Sequence, residues 1–247
     1  MTTDDAYLLA TWASHIKDAA REGRTQYVLA ELGKYHLAWR RRTTSPLSPA
    51  YSILLTCCAT GDRGAETIRS EHVDLAHALL DRGADPNLRG RVWTPLHYAA
   101  RGLGGGSVDM VGLLLDAGGN VREKNSSLVC AIHGFSASDS QRHLNCRRIV
   151  RLLLRAGVPL SGPIVDQLER VRPGAMCLST RQLILDVHVA GSPRAYRMLR
   201  RKQVLLLRSL ALKGRAKPRD VRMTFLVDSP NDIAWKVLEY WRTELDC

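Results

Sequence analysis

The sequence predicts an all-α repeat protein followed by a small helical C-terminal domain, on three observations. Leucine-rich helix ends are each followed by a glycine, at Gly83, Gly118 and Gly157, which lie 35 and 39 residues apart. Residues 94–100, TPLHYAA, have the composition of a capped helix start. Residues 229–241, SPNDIAWKVLEYW, carry a wide apolar arc that must be buried against something.

Composition narrows the class of protein before any motif is considered. The chain has 247 residues, of which 45% are hydrophobic and 24% charged, so it can bury a core and is not a disordered chain. The start of the chain lacks a secretory signal, and no apolar run is long enough to span a bilayer. We therefore expect an intracellular protein, cytoplasmic or nuclear, whose six cysteines are reduced thiols.

The repeating unit is a helix start followed by a longer helix that ends in glycine. A glycine just past a helix takes the left-handed conformation that terminates it. Thr94 is placed to cap the first helix, Pro95 occupies its first position, and Leu96 with Ala99 and Ala100 forms a close-packed face.

Together, TPLHYAA and the following VDMVGLLLDAGGNV resemble the ankyrin repeat, whose signature is T-P-L-H-x-A. Three degenerate copies align with this repeat. The first is residues 14–32, with Ser14 in the threonine position and Ala19 and Ala20 as the small pair; the second is 45–51 with 73–87, and the fourth is 126–132 with 147–157. The resemblance implies a solenoid of about four repeats over residues 1–161 and a helical domain over 162–247.

An ankyrin array implies a non-enzymatic adaptor or scaffold that binds a protein partner. Its concave surface would be formed by the first helices and by the hairpins after Gly33, Gly83 and Gly118. The residues expected to bind the partner are Arg89, Arg91, Trp93, Arg122 and Lys124. Trp93 could instead be packed between hairpins, and the resemblance gives His97 a structural role.

Repeats two, three and four carry extra residues between their two helices. Insertions at equivalent positions of a repeat array project from one face, which is often a binding face. The alternative is neutral loop drift, because long surface insertions cost little free energy.

No catalytic constellation is present in the sequence, and no cofactor or metal is predicted. The sequence lacks a P-loop, a nucleophile elbow and a metalloprotease motif. Cys130, His133, His143 and Cys146 form C-x2-H-x9-H-x2-C, which could supply four zinc ligands. The alternative is buried thiols with loop histidines.

Positive charge is concentrated in residues 193–222. This segment has eleven Lys or Arg and one acidic residue, and it supplies nearly all of the formal net charge of +12. Its predicted helix has a basic face that could bind a polyanion, either nucleic acid or an anionic membrane, through Arg197, Arg200 and Arg201. The alternative is a solvated face of a helix that caps the array.

The final helix, predicted over residues 229–245, begins with Ser229 as a cap, Pro230 in the first turn and Asp232 as the capping-box acid. The segment resembles the opening of an F-box, with Ser229 replacing the leading leucine, and ankyrin chains with such an end are of the PRANC type. The resemblance implies a substrate receptor that docks a Skp-type adaptor of a cullin ubiquitin ligase. Its docking residues would be Pro230, Ile233, Val237, Leu238 and Trp241. The alternative is that the helix packs on its own domain.

Overall fold

The structure is a computed structural model. It describes residues 3–34, 49–59, 68–89, 93–101, 107–122, 127–133, 140–160, 162–170, 176, 178–217, 219 and 221–239. Throughout these residues every regular element is an α-helix, which confirms the all-α class. The chain divides into two compact units, Met1–Leu178 and Ser179–Cys247. The predicted division lay at residues 161 and 162, at the start of the helix that closes the first unit.

The first unit contains nine of the described helices, most of them in consecutive pairs. They are α1 (Thr3–Arg21), α2 (Thr25–Lys34), α3 (Pro49–Ala59), α4 (Ser70–Asp81), α5 (Pro95–Arg101), α6 (Val108–Asp116), α7 (Ser127–His133), α8 (Ser140–Arg155) and α9 (Gly162–Arg170).

Corresponding helices of successive pairs contact one another. The first helices meet in the order α1, α3, α5, α7 and α9, and the second helices in the order α2, α4, α6 and α8. Three of the second helices, α4, α6 and α8, bury the same pattern of three positions, one face of a helix with 3.6 residues per turn. These positions are Leu75, Ala76 and Leu79 in α4, Met110, Val111 and Leu114 in α6, and Ile149, Val150 and Leu153 in α8.

The three predicted helix-ending glycines are confirmed. Gly83, Gly118 and Gly157 have φ values of +89°, +86° and +80°. In each turn the following backbone N–H donates to a carbonyl five residues earlier, as Ala84 does to Leu79 at 3.0 Å. This bond satisfies a carbonyl at the helix end that has no partner within the helix.

In the first repeat Ser14 lies within α1, whereas Thr94 precedes its helix, but the small pair Ala19 and Ala20 is buried as predicted. The register predicted for the second repeat was wrong. In the second repeat, α3 runs over Pro49–Ala59 and buries Leu54, Cys57 and Cys58, in the same spacing as Leu96, Ala99 and Ala100. The helix start predicted at Ser45 and Pro46 lies outside the described residues. In α3 the cysteines take the place of the small pair because a thiol is compact and apolar.

The two adjacent cysteines of α3 should be unreactive in the folded protein. Burial raises the pKa of Cys57 to about 12 and the pKa of Cys58 well above its usual value. We expect iodoacetamide at about pH 8 to modify neither thiol until the chain is unfolded, because the thiolate is the nucleophile. Peptide mass spectrometry with and without urea measures this. Rapid labelling of the folded protein would contradict it.

The same shift has a consequence for stability. Since the folded-state pKa lies above the unfolded one, the contribution of Cys57 is fully present below about pH 8.5 and is lost as the pH rises toward 12.

The second unit consists of α10 (Leu178–Ala190), α11 (Pro193–Leu212), α12 (Val221–Asp228) and α13 (Asn231–Glu239). Ser192 caps α11 by accepting a hydrogen bond from the Ala195 backbone N–H at 3.1 Å. A small core joins the last three helices, with Leu226, Ala234 and Leu238 buried against Val204, Leu205 and Val237.

Arg208 organises the connection between α12 and α13. It is 8% exposed, and its guanidinium donates to the Leu226 and Ser229 carbonyls at 2.8 and 2.7 Å and to the Asn231 side chain at 2.8 Å. One side chain thus satisfies two carbonyls where α12 ends.

The capping role predicted for Ser229 was wrong. Its hydroxyl donates to the Phe225 carbonyl at 2.7 Å, so it closes α12, and α13 begins only at Asn231. Pro230 therefore precedes α13, and Asp232 lies in its first turn.

Candidate functional site

The hairpins that follow Gly83 and Gly118 are joined by one asparagine. The Asn87 side chain donates to the Gly118 carbonyl at 3.0 Å and accepts from the Asn120 backbone N–H at 2.6 Å. The Asp85 carboxylate in turn accepts from the Asn87 backbone N–H at 2.8 Å. These bonds hold the two hairpins in a defined relation to each other and to the residues that follow them.

Replacing Asn87 with alanine removes both bonds between the hairpins. We expect a loss of about 1–2 kcal/mol in the free energy of unfolding, because each exposed hydrogen bond contributes about 1 kcal/mol or less. Urea unfolding followed by circular dichroism measures the loss. Arg82→Ala, an exposed substitution before the same hairpin, should change the value by less than about 0.5 kcal/mol. Equal effects of the two substitutions would contradict a bridging role for Asn87.

Trp93 lies against its own first helix and is half-buried. Its ring makes an edge-to-face contact with Tyr98, with centroids 5.1 Å apart, and the Arg101 guanidinium lies 4.4 Å from its ring centroid. The Tyr98 ring and the Arg101 cation hold the indole in place at the end of the hairpin. We call Trp93, Tyr98 and Arg101 the aromatic cluster.

His97 has the structural role implied by the resemblance. It is buried, and its Nδ1 accepts from the Thr94 hydroxyl at 2.7 Å and from the Thr94 backbone N–H at 3.3 Å. Thr94 directly precedes α5, and Pro95 is the first residue of that helix, as predicted.

His72 makes a similar turn at the start of α4, a second helix, and the sequence analysis did not predict it. Its Nδ1 accepts from the Arg69 N–H at 3.0 Å, while its Nε2 donates to the Arg21 carbonyl at 2.9 Å. The sequence feature that could have predicted this turn is a histidine three residues after the residue that precedes the helix, as His97 follows Thr94.

Two of the five predicted partner-binding residues can be placed on the hairpins. Arg89 and Arg122 are exposed there, and Trp93 belongs to the aromatic cluster. Arg91 and Lys124 lie outside the described residues, as do the hairpin expected after Gly33 and most of the three insertions. Gly33 itself lies within α2. The part of the fourth-repeat insertion that is described, 140–145, is the start of α8.

Cys130, His133, His143 and Cys146, the four possible zinc ligands, are not grouped into a metal site in the structure. Cys130 and Cys146 are buried, whereas His133 is exposed at the end of α7. Among the described residues, which include all four, no group of three or more histidine, cysteine or acidic side chains could hold a metal ion.

The basic helix does not present all its cations to solvent. Arg200 donates to the Asp186 carboxylate at 3.1 Å and to the Tyr196 hydroxyl at 3.3 Å. Arg197 and Arg201 are half-buried. Arg208, which belongs to the same basic segment of the sequence, 193–222, is buried against the end of α12.

The predicted docking residues of α13 divide between two faces. Leu238 is 2% exposed and Val237 packs against the same core, so these two face their own domain. Pro230 and Ile233 are exposed, and Trp241 lies outside the described residues. Trp235 is 60% exposed. The apolar pattern of the sequence did not predict this exposure.

Comparison with known proteins supports the repeat. The sequence model of the family described as ankyrin repeats (many copies) matches residues 62–115, which include α4, the hairpin after Gly83, α5 and most of α6. No curated protein gives a significant match to the chain. The family match indicates a role in protein–protein interaction, and ankyrin domains are in general non-catalytic. The structure has no helix, in the part it describes, that is both long and apolar enough to cross a membrane.

Proposed function

We propose that residues 1–161 form an ankyrin solenoid of about four repeats that binds a protein partner along its hairpins and first helices. The observation that carries the proposal is the bonded pair of hairpins beside the aromatic cluster. Asn87 joins the two hairpins. Tyr98 and Arg101 hold Trp93 where the hairpin after Gly83 leads into α5. A pre-ordered aromatic side chain loses little entropy when a partner binds.

The charges of this surface favour an acidic partner segment. Arg89 and Arg122 are exposed on successive hairpins, and Arg101 lies over the Trp93 ring. Arginine and tryptophan are the side chains that most often dominate the binding energy of protein interfaces. Opposite charges on the partner would raise its association rate and set its orientation. The module itself would act without catalysis, inside the cell.

A pull-down from eukaryotic cell lysate, with the recovered proteins quantified by mass spectrometry, tests the proposal. Trp93→Ala combined with Arg101→Ala should reduce recovery of the specific partner at least tenfold. The matched control is Tyr27→Ala with Arg148→Ala, which removes an aromatic and a basic residue exposed on second helices. If the cluster variant recovers the same proteins as the wild type, the partner does not bind there.

We further propose that α13 docks a Skp-type adaptor, which would make the chain a substrate receptor of a cullin ubiquitin ligase. The supporting observation is that Pro230, Ile233 and Trp235 remain exposed while the opposite face of α13 is buried. Ile233 and Trp235 flank the buried stripe of Ala234 and Leu238 on its two sides, and exposed apolar side chains of this size are the kind that bind a partner.

Direct binding to a purified Skp-type adaptor tests this docking. Ile233→Ala with Trp235→Ala should abolish binding and leave folding intact, because both side chains lie outside the core of the second unit. Phe225→Ala, an exposed change on α12 outside the F-box-like segment, is the control. Failure of the wild-type chain to bind the adaptor would reject the ligase role and leave the ankyrin interaction standing.

A further inference from the structure

Helix α11 carries an exposed apolar stripe outside the core of its unit. Met198 and Leu206 are 46% and 61% exposed, and Leu199 beside them is 46% exposed. Positions 198, 202 and 206 are each four apart, so they share one face of the helix over about 12 Å. The exposed Lys202 occupies the middle of this stripe. The stripe is defined here as Met198, Leu199, Lys202 and Leu206.

Exposed cations follow the stripe along the chain. Lys213 ends α11 and shares its face with Leu206, seven residues earlier. Arg215, Lys217 and Arg219 come next, and all four side chains are exposed. Within the described part of the chain, none of the four has a hydrogen bond or ion pair from its side chain. We call Lys213, Arg215, Lys217 and Arg219 the basic segment.

We propose that the stripe and the basic segment form a peripheral binding surface for an anionic lipid bilayer. An interfacial helix inserts apolar side chains at the boundary of headgroups and acyl chains while its cations attract anionic lipids. The stripe supplies the apolar component and the basic segment the charge. Lys202 can extend its ammonium to the headgroups while its alkyl stem remains beside the apolar side chains.

The same observations argue against two other occupants. Single-stranded nucleic acid stacks its bases on exposed aromatic rings, but Tyr196, the aromatic residue of α11, is 3% exposed. Exposed methionine and leucine side chains contribute nothing to phosphate binding. Pairing with a second copy along the stripe would bury the Lys202 ammonium of each chain within the apolar contact, which is unfavourable.

Vesicle co-sedimentation of the full chain tests the proposal. The probes are vesicles of phosphatidylcholine alone and vesicles with roughly one quarter phosphatidylserine, at about 0.1 M salt. We expect binding only to the second kind. Lys213→Gln, Arg215→Gln and Lys217→Gln together should weaken it on the order of 100-fold, because each cation near an anionic surface contributes about fivefold. Leu199→Gln with Leu206→Gln should weaken it about tenfold or more.

Matched substitutions in the first unit serve as controls. Arg82→Gln, Arg148→Gln and Arg170→Gln remove three exposed charges, and Tyr27→Gln with Leu144→Gln changes two exposed apolar residues. Neither control should weaken binding more than a fewfold. Unchanged thermal unfolding of all variants shows that the effects come from the surface.

Three results would overturn the proposal. The first is no binding to anionic vesicles. The second is binding that depends on charge but is unaffected by the leucine changes, with equal or stronger binding to a homopolymeric RNA, which indicates a general polyanion site. The third is a dimer in analytical ultracentrifugation that the leucine changes convert to a monomer, which indicates that a second copy covers the stripe.

Discussion

Replacing Arg208 with alanine is expected to destabilise the C-terminal unit by about 3 kcal/mol. The substitution removes three hydrogen bonds from one cation and leaves the Leu226 and Ser229 carbonyls without these donors. Hydrogen exchange followed by mass spectrometry should show a loss of protection in α12 and α13, while α5 and α6 keep theirs.

Two further variants separate the geometry of Arg208 from its charge. Arg208→Lys keeps the charge, but its single ammonium nitrogen cannot reach the three acceptors that the guanidinium contacts through three different nitrogens, so we expect it to recover little of the lost stability. Lys202→Ala, an exposed change on the same helix, should shift stability by less than about 0.5 kcal/mol. If Arg208→Ala costs less than about 1 kcal/mol, the guanidinium does not hold the two helices together.

The second large effect is expected from Leu96→Ala in α5. Leu96 is 1% exposed, and its helix contacts both α3 and α7, so the cavity would lie between three helices. Deletion of a buried leucine side chain costs about 3 kcal/mol, from lost transfer free energy and the residual cavity. Urea unfolding of the full chain measures the loss, and hydrogen exchange should rise in α3 and α7 as well as in α5.

Leu144→Ala in α8 is the matched control, because this leucine is 41% exposed. It should lower the free energy of unfolding by about 0.5 kcal/mol or less. A similar loss from the two substitutions would mean that α5 is not the packed centre of the first unit.

The predictable parts of this protein depend on short-range signals. The helix ends at Gly83, Gly118 and Gly157 follow from the low cost of left-handed conformation in glycine. The start of α5 at Pro95 follows from the missing proline N–H. The buried faces of α4, α6 and α8 follow the apolar spacing of a helix with 3.6 residues per turn. All these signals act within one or two turns of the chain.

The position of a predicted residue could be anticipated where it followed from the repeat. Arg89 and Arg122 are exposed on hairpins, as expected from the turns that precede them. The contacts of Trp93 with Tyr98 and Arg101 were not predicted, because they depend on side-chain orientation across a turn of α5. Asn87 was missed as a bridge because its partners lie 31 and 33 residues away.

The sequence was sufficient for the helical class and the repeat, whereas tertiary packing decided the use of individual side chains. Arg208 lies in a strongly basic stretch of the sequence, where a surface position is expected. It is buried because the end of α12, 18 residues further on, supplies its hydrogen-bond acceptors. Likewise Ala234 and Leu238, not Ile233 and Trp235, form the buried side of α13 because the α11 and α12 side chains lie there. A local pattern shows that a face is apolar, but its partner is set by contacts between residues distant in the chain.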